Sequence, residues 1–344
     1  MDVVSLLDED LRKANEENKE EFFCDLENGN LNYFLGAGIS SINEWATAIE
    51  NICKNANLAF NRDKISPQDL KDTANDFMSK DTKKFVKEEF NKFSEKIKQV
   101  YLPILNSKFE FLLTTNFDNE IPNIIYTGMK ASEFNIEYYP VLWRVLTSEK
   151  QDSKKIIHIH GLLSDGCTDI EDIVLSSKSF ETAYNKTALK SILLYLFTNY
   201  TFFFYGFNIG EKEIKLIIDE ALDIVHRNAA LFKKYIHSAN KPKPIKLYKL
   251  EQFNFNQAEI EKEANEIKTT VKDLVNRKIK EVMKSFHKTS YFKILIYNQW
   301  SDFDLEFVQK NIEINKRKEE YKKQSNNLKN VTMTQNPSGP EVDL

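Results

Sequence analysis

Four short apolar runs, each ending abruptly in glycine or small polar residues, constrain the fold of this chain more than any other feature. They are FLGAGISS (Phe34 to Ser41), LLTTNFD (Leu112 to Asp118), IIHIHG (Ile156 to Gly161) and FFFYGFN (Phe202 to Asn208), in that order. Apolar runs without polar alternation belong to strands buried on both faces, the condition of a parallel sheet. In such sheets ligands bind outside the carboxyl ends of the strands. Here those ends carry Gly, Ser, Thr, Asn, Asp and His, residue types that handle phosphate, ribose and protons. The expected fold is α/β, a Rossmann-like parallel sheet flanked by helices with a nucleotide crevice along one edge.

Bulk properties narrow the class. A chain of 344 residues with 41% apolar and 12% aromatic content can bury one large core or two ordinary ones. The formal net charge of −4 argues against direct nucleic-acid binding by the surface as a whole. Cys24, Cys53 and Cys167 form no CxxC pair, which excludes a structural zinc ribbon and makes a disulfide framework unexpected. The opening stretch MDVVSLLDEDLRKANEE lacks the basic and apolar regions of a secretory signal. The longest apolar run, SILLYLFTNYTFFFYGF, is broken by Thr198, Asn199 and Tyr200, so it reads as helix end, turn and strand rather than a membrane span. A cytoplasmic protein without membrane association is expected.

Along the chain, residues 1–30 read as a lead-in helix ended by Asn28-Gly29-Asn30. Residues 31–250 read as the nucleotide-binding domain. Its first strand, LNYFLGAG, is followed by a helix on Trp45, Ala48, Ile49 and Ile52, then by a helical insertion over about 56–104. Further strands are expected at Phe109–Thr114, Ile136–Trp143, Lys155–His160 and Thr201–Tyr205, with a short edge element at Ile173–Leu175 and a last strand in Pro242–Leu250. Residues 251–328 read as a helical C-terminal region and 329–344 as a disordered tail. Tyr291, Phe292, Ile294, Ile296, Trp300, Phe303 and Phe307 in that region either pack on the sheet or form a partner surface.

Each strand end carries a chemical reading beside a plainer one. Gly36-Ala37-Gly38 with Ser40 lets backbone approach a diphosphate at a helix N-terminus, or forms only a tight turn. The stretch from Thr115 to Asp118 ends a strand with the poor strand formers Asn116 and Asp118, and the Asn116 amide suits a ribose hydroxyl or a water. Asp118 either supports Asn116 and the ribose or caps the next helix. His160 is a candidate proton acceptor or a core histidine, and His158, two residues earlier, lies on the same face if the pleat is regular. His-x-His is also half of a metal-binding pattern. Gly206 permits close backbone approach, while Asn208 contacts a ribose or caps a helix.

In this order the four ends resemble the sirtuin-like (silent-information-regulator-type) NAD-consuming family. The resemblance implies a diphosphate loop at Gly36, Ala37, Gly38 and Ser40, a T-x-N-x-D or TTN-[YF]-D motif at Thr114, Thr115, Asn116 and Asp118, a catalytic His-Gly pair at His160 and Gly161, and a third contact at Gly206 and Asn208, where the family has serine. IEDIVLSSKSFETAY resembles the stretch after the His-Gly pair in bacterial members. The deacylase branch carries four zinc-binding cysteines and a Pro-Asp-Phe-Arg stretch, both missing here. The nearer likeness is therefore to the bacterial branch in anti-phage defence, which hydrolyses NAD+ to nicotinamide and ADP-ribose. It implies a zinc-independent NAD+ glycohydrolase with Asn116, His160 and Asp118 as catalytic residues and NAD+ as substrate. It also implies a homo-oligomer or a separate sensor subunit, such as a nucleic-acid-handling ATPase or an Argonaute-type protein. A non-catalytic NAD or ADP-ribose binding module and an ADP-ribosyltransferase are the competing readings.

Overall fold

The apolar runs become strands of a single sheet. A computed structural model describes residues 2–36, 42–63, 66–78, 80–90, 94–142, 153–164, 169–206, 212–235, 246–252, 255–286, 292–297 and 300–334. Seven strands, β1 (Leu31–Leu35), β2 (Phe111–Thr114), β3 (Phe134–Tyr138), β4 (Lys154–His158), β5 (Thr201–Tyr205), β6 (Leu247–Gln252) and β7 (Phe292–Tyr297), lie in the order β3-β4-β2-β1-β5-β6-β7. Every neighbouring pair is parallel. With thirteen α-helices around it among the described residues, this is the expected Rossmann-like α/β fold.

Burial on both faces explains why β1, β2 and β5 carry apolar residues at nearly every position. Alternate residues feed two layers. Phe34, Leu113, Ile157, Phe204 and Ile294 pack with helices Leu189–Asn199, Lys212–Tyr235 and Val271–Phe286. Tyr33, Leu112, Ile156, Phe203 and Tyr248 pack with Glu9–Asn28, Ser94–Asn106, Glu120–Gly128 and the start of Trp300–Thr334. A separate cluster joins Ile49, Ile52, Leu70, Phe77, Val86 and Phe90 to Phe117, Leu163, Ile173 and Leu175. It seats the helical insertion on segments that follow β2 and β4.

The structure departs from the expectations in places that local pattern does not govern. The stretch expected to be wholly helical after residue 250 contains β7, an edge strand paired to β6. Lysine and glutamate on both sides of FKILIY hide it in a helix-rich background. β3 ends at Tyr138, because the chain turns at Tyr139-Pro140. β4 ends at His158 rather than His160, and Ile173–Leu175 is a turn after a 3-10 segment (Ile170–Asp172) rather than an edge strand. The lead-in is two helices, Val3–Leu6 and Glu9–Asn28, the second closed by Gly29 at φ 67°. The last helix runs to Thr334, into the stretch expected to be tail.

β7 needs a cover because an edge strand presents unpaired backbone groups. The N-terminal helix supplies one. Asn15 Nδ2 donates to Ile296 O at 3.1 Å, Ile296 N–H donates to Asn15 Oδ1 at 2.8 Å, and Asn18 Nδ2 donates to Ile294 O at 3.0 Å. Two asparagines, buried at 2% and 8% exposure, thus act as a surrogate strand. Tyrosines from the neighbouring strands fasten helices to the same region: Tyr205 to Asp304 at 2.5 Å, Tyr297 to Glu306 at 2.6 Å and Tyr248 to Asp25 at 2.8 Å.

Asn15→Leu leaves the N–H and C=O of Ile296 buried without partners. The expected loss is about 2–4 kcal/mol of unfolding free energy, read from urea melts. A change within about 0.5 kcal/mol, the range of a neutral surface substitution, would show that the asparagine does not close the edge.

Candidate active site

Connectivity decides where a ligand crevice lies. From β1 the chain moves to β2 on one side and later returns to β5 on the other, so the strand order reverses beside β1. A crevice opens at such a switch point, beyond the carboxyl ends. One row of hydrogen bonds levels those ends: Gly36 N–H to Tyr205 O at 2.9 Å, Thr115 N–H to Leu35 O at 3.0 Å and Ile159 N–H to Thr114 O at 2.9 Å. Gly206, Gly36, Thr115 and the His160 turn therefore emerge side by side. Gly206 has φ 64°, a backbone conformation that a residue with a Cβ adopts at a cost. Ala37, Gly38, Ser40 and Asn208 lie outside the described residues.

Asn116 is the most constrained residue of the group. Its N–H donates to Thr114 Oγ1 at 3.0 Å, its carbonyl accepts from His158 Nδ1 at 2.9 Å, and its Nδ2 donates to Tyr101 Oη at 2.8 Å. Only Oδ1 is left without a partner among the described residues. Tyr101, from helix Ser94–Asn106, is fully buried.

Asp118 does not hold the N-cap position of helix Glu120–Gly128, which belongs to Asn119. Instead Asp118 Oδ1 accepts from Glu120 N–H at 2.9 Å, an Asx turn that leads the chain into the helix. Burial, reinforced by the Glu120 carboxylate, pushes its carboxyl up to about 6. Phe117, between the two motif residues, points away from them and meets Phe90 edge-on at 4.7 Å. Its burial anchors the helical insertion.

The two histidines part company. Because the strand stops at His158, Gly161 N–H returns to His158 O at 3.2 Å and the chain turns through Ile159 and His160. The regular pleat that would align the rings ends there. His158 Nδ1 donates to Asn116 O, which leaves Nε2 as the lone-pair nitrogen, buried and without a partner. His160 Nε2 lies 2.9 Å from Tyr184 Oη, and its ring packs edge-on against Phe180 at 5.0 Å. Lys71 of the insertion stands 3.5 Å over Phe180 and pairs with Glu213 at 3.4 Å. Burial holds His158 down at about 4. Burial, aided by the Lys71 charge, holds His160 at about 3. Both rings are neutral near pH 7. They address different partners, so they do not form a chelating His-x-His pair. Among the described residues no group of three His, Cys, Asp or Glu is placed to hold a metal ion.

Two polar atoms at these strand ends, Thr115 Oγ1 and His158 Nε2, are buried without a hydrogen bond among the described residues, and Asn116 Oδ1 beside them is likewise unbonded. Unpaired buried polar atoms are rare, since each costs about 1–3 kcal/mol. A polyhydroxylated ligand suits such a set. Residues 110–257 match the family model described as SIR2-like domain. That span is a SIR2-like domain. The matched span opens just before β2 and closes at the first residue of helix Gln257–Glu266, so it holds Asn116, Asp118, His160 and Gly206. The glycine loop after β1 lies outside it. No curated protein matches the chain in sequence. Among the described residues, no helix is long and apolar enough to cross a membrane.

The motif reading passed over Tyr101, Tyr184 and Lys71. Tyr184 closes the IEDIVLSSKSFETAY stretch, the one signal that could have drawn attention to it. Tyr101 and Lys71 sit in amphipathic helical sequence with no signal of their own.

Opposite pH dependences follow for the buried acid and the imidazoles. The folded state holds the Asp118 proton more tightly than the unfolded chain does. Its contribution is complete below about pH 4 and is lost as pH rises through about 6. The histidine contributions are present above about pH 6.5 and are lost as pH falls toward 4 and 3. Asp118→Asn should therefore gain roughly 2–3 kcal/mol over the parent between pH 4 and pH 8. Denaturant melts at the two pH values measure it. An equal offset at both would mean that the carboxyl titrates normally.

Proposed function

We propose that this protein hydrolyses NAD+ at the bond between nicotinamide and ribose, with water as acceptor and with nicotinamide, ADP-ribose and a proton as products. The observation that carries the reading is the commitment of every Asn116 hydrogen-bonding group except Oδ1, beside a buried Asp118 carboxyl that titrates near neutrality. SIR2-like domains use NAD+ as substrate, which supports the substrate class. Nicotinamide leaves as a neutral molecule, so the site needs little acid assistance. What it needs is a held ribose and a positioned water.

In this reading Asn116 Oδ1 accepts a hydrogen bond from a ribose hydroxyl or the attacking water. Asp118, largely ionised at pH 7, supports that geometry and takes up the released proton. His160 is neutral and accepts a proton only at the nitrogen that carries its lone pair. Thr115 and His158 satisfy further hydroxyls or ordered water. Gly36 and Gly206, with Ala37, Gly38, Ser40 and Asn208 of the adjoining loops, serve the diphosphate and second ribose. The biological reading is an anti-phage effector that depletes NAD+ when triggered, acting as a homo-oligomer or with a sensor subunit. Its support is the likeness of the four strand ends to the zinc-independent bacterial branch.

One observation favours a second reading, a non-catalytic NAD or ADP-ribose binding module. His160 is only 2% exposed and its Nε2 is already engaged by Tyr184. Purified protein incubated with NAD+, alone and at concentrations that favour oligomers, separates the two by free nicotinamide. Hydrolysis should fall by about 100-fold or more in Asn116→Ala and His160→Ala, with both variants folded by circular dichroism. Binding of NAD+ without nicotinamide release establishes the module, and full activity in both variants removes the assigned roles.

A further inference from the structure

Asn116 is useful to the proposed reaction only if its amide presents oxygen, not nitrogen, to the crevice. The side chain by itself has no preference, since a half-turn about the Cβ–Cγ bond exchanges the two. Something must choose, and the arrangement around Tyr101 does so.

Tyr101 Oη accepts a hydrogen bond from Asn116 Nδ2 at 2.8 Å. The main chain of Asn116 is held at the same time, its N–H by Thr114 Oγ1 at 3.0 Å and its carbonyl by His158 Nδ1 at 2.9 Å. With the backbone fixed and Nδ2 bound to the phenol oxygen, Oδ1 is left on the other side of the amide, without a partner among the described residues. Tyr101 keeps this contact still because it is fully buried in one cluster with Ile104, Leu105 and Ile121.

We infer that Tyr101 is a positioning residue, which fixes the Asn116 amide so that Oδ1 faces the reacting groups. The inference rests on the NAD+ hydrolase reading for its consequence in catalysis, although the orientation itself does not. It assigns a role in the site to helix Ser94–Asn106, which ends the insertion and lies outside the span matched by the family model.

Tyr101→Phe keeps the buried ring and removes only Oη. The expected result is a kcat for nicotinamide release lower by about 10- to 100-fold, with KM for NAD+ within about twofold. In an Asn116→Ala background the same substitution should cause no further loss, because it acts through the missing amide. A kcat unchanged in Tyr101→Phe, or an equal loss in the Asn116→Ala background, overturns the proposal. Thermal melts of each variant identify any loss that comes from unfolding.

A second measurement does not need activity. In 15N-labelled protein the Asn116 side-chain NH2 signals, assigned by their absence from Asn116→Ala, should show slow solvent exchange that Tyr101→Phe abolishes. Exchange that is equally slow in Tyr101→Phe refutes the contact. If the parent protein releases no nicotinamide under any condition, the hydrolase reading fails. The NH2 signals still decide whether Tyr101 orients Asn116.

Discussion

The structure depends on a parallel sheet whose strands are buried on both faces and finish level with one another. In such a sheet the backbone has no water to turn to, so each carbonyl and N–H at the carboxyl edge must find a neighbour. The bonds Gly36 to Tyr205, Thr115 to Leu35 and Ile159 to Thr114 meet that demand one residue beyond the strands. They also fix the heights at which the following side chains emerge. The site is thus a consequence of sheet termination. Residues distant in sequence are aligned because the last rungs of the ladder are shared.

Much of the sheet was legible because a buried parallel strand carries its signature within five or six residues. LNYFL, FLLT and TFFFY need no distant partner to be recognised. β7 was not legible, although FKILIY is just as apolar. Its neighbours in sequence are long charged helices, and its status depends on β6 and on Asn15 and Asn18 of the N-terminal helix. Bonds spanning 276 to 281 residues leave no local trace. The fold therefore closes where Asn15 and Asn18 meet Ile294 and Ile296, a contact which no window along the sequence can contain.

The same division runs through the site. Asn116, Asp118 and His160 stood out because polar residues at the end of an apolar run conflict with strand propensity, and local conflict of that kind marks function. Their orientation was not legible. Regular alternation placed His158 and His160 on one face, but the strand ends at His158 and the turn that follows sends the second ring to Phe180 and Tyr184. Asp118 looked like a helix cap, and the cap position fell one residue later, which leaves its carboxyl buried in an Asx turn.

A tyrosine from a helix meets each of the two residues on which catalysis would turn: Tyr101 beside Asn116, and Tyr184 beside His160. The phenol suits this task because it brings a large apolar ring that holds its place in a core and one hydroxyl that gives a polar neighbour a fixed partner. An asparagine amide and a neutral imidazole share a weakness, since each can offer donor or acceptor to the same neighbour after a flip or a proton shift. At a strand end, where backbone partners fix only the main chain, that ambiguity would otherwise remain. The helices that flank this sheet therefore supply more than cover. By placing Tyr101 against Asn116, the insertion gives the amide nitrogen a buried partner and leaves Oδ1 unbonded.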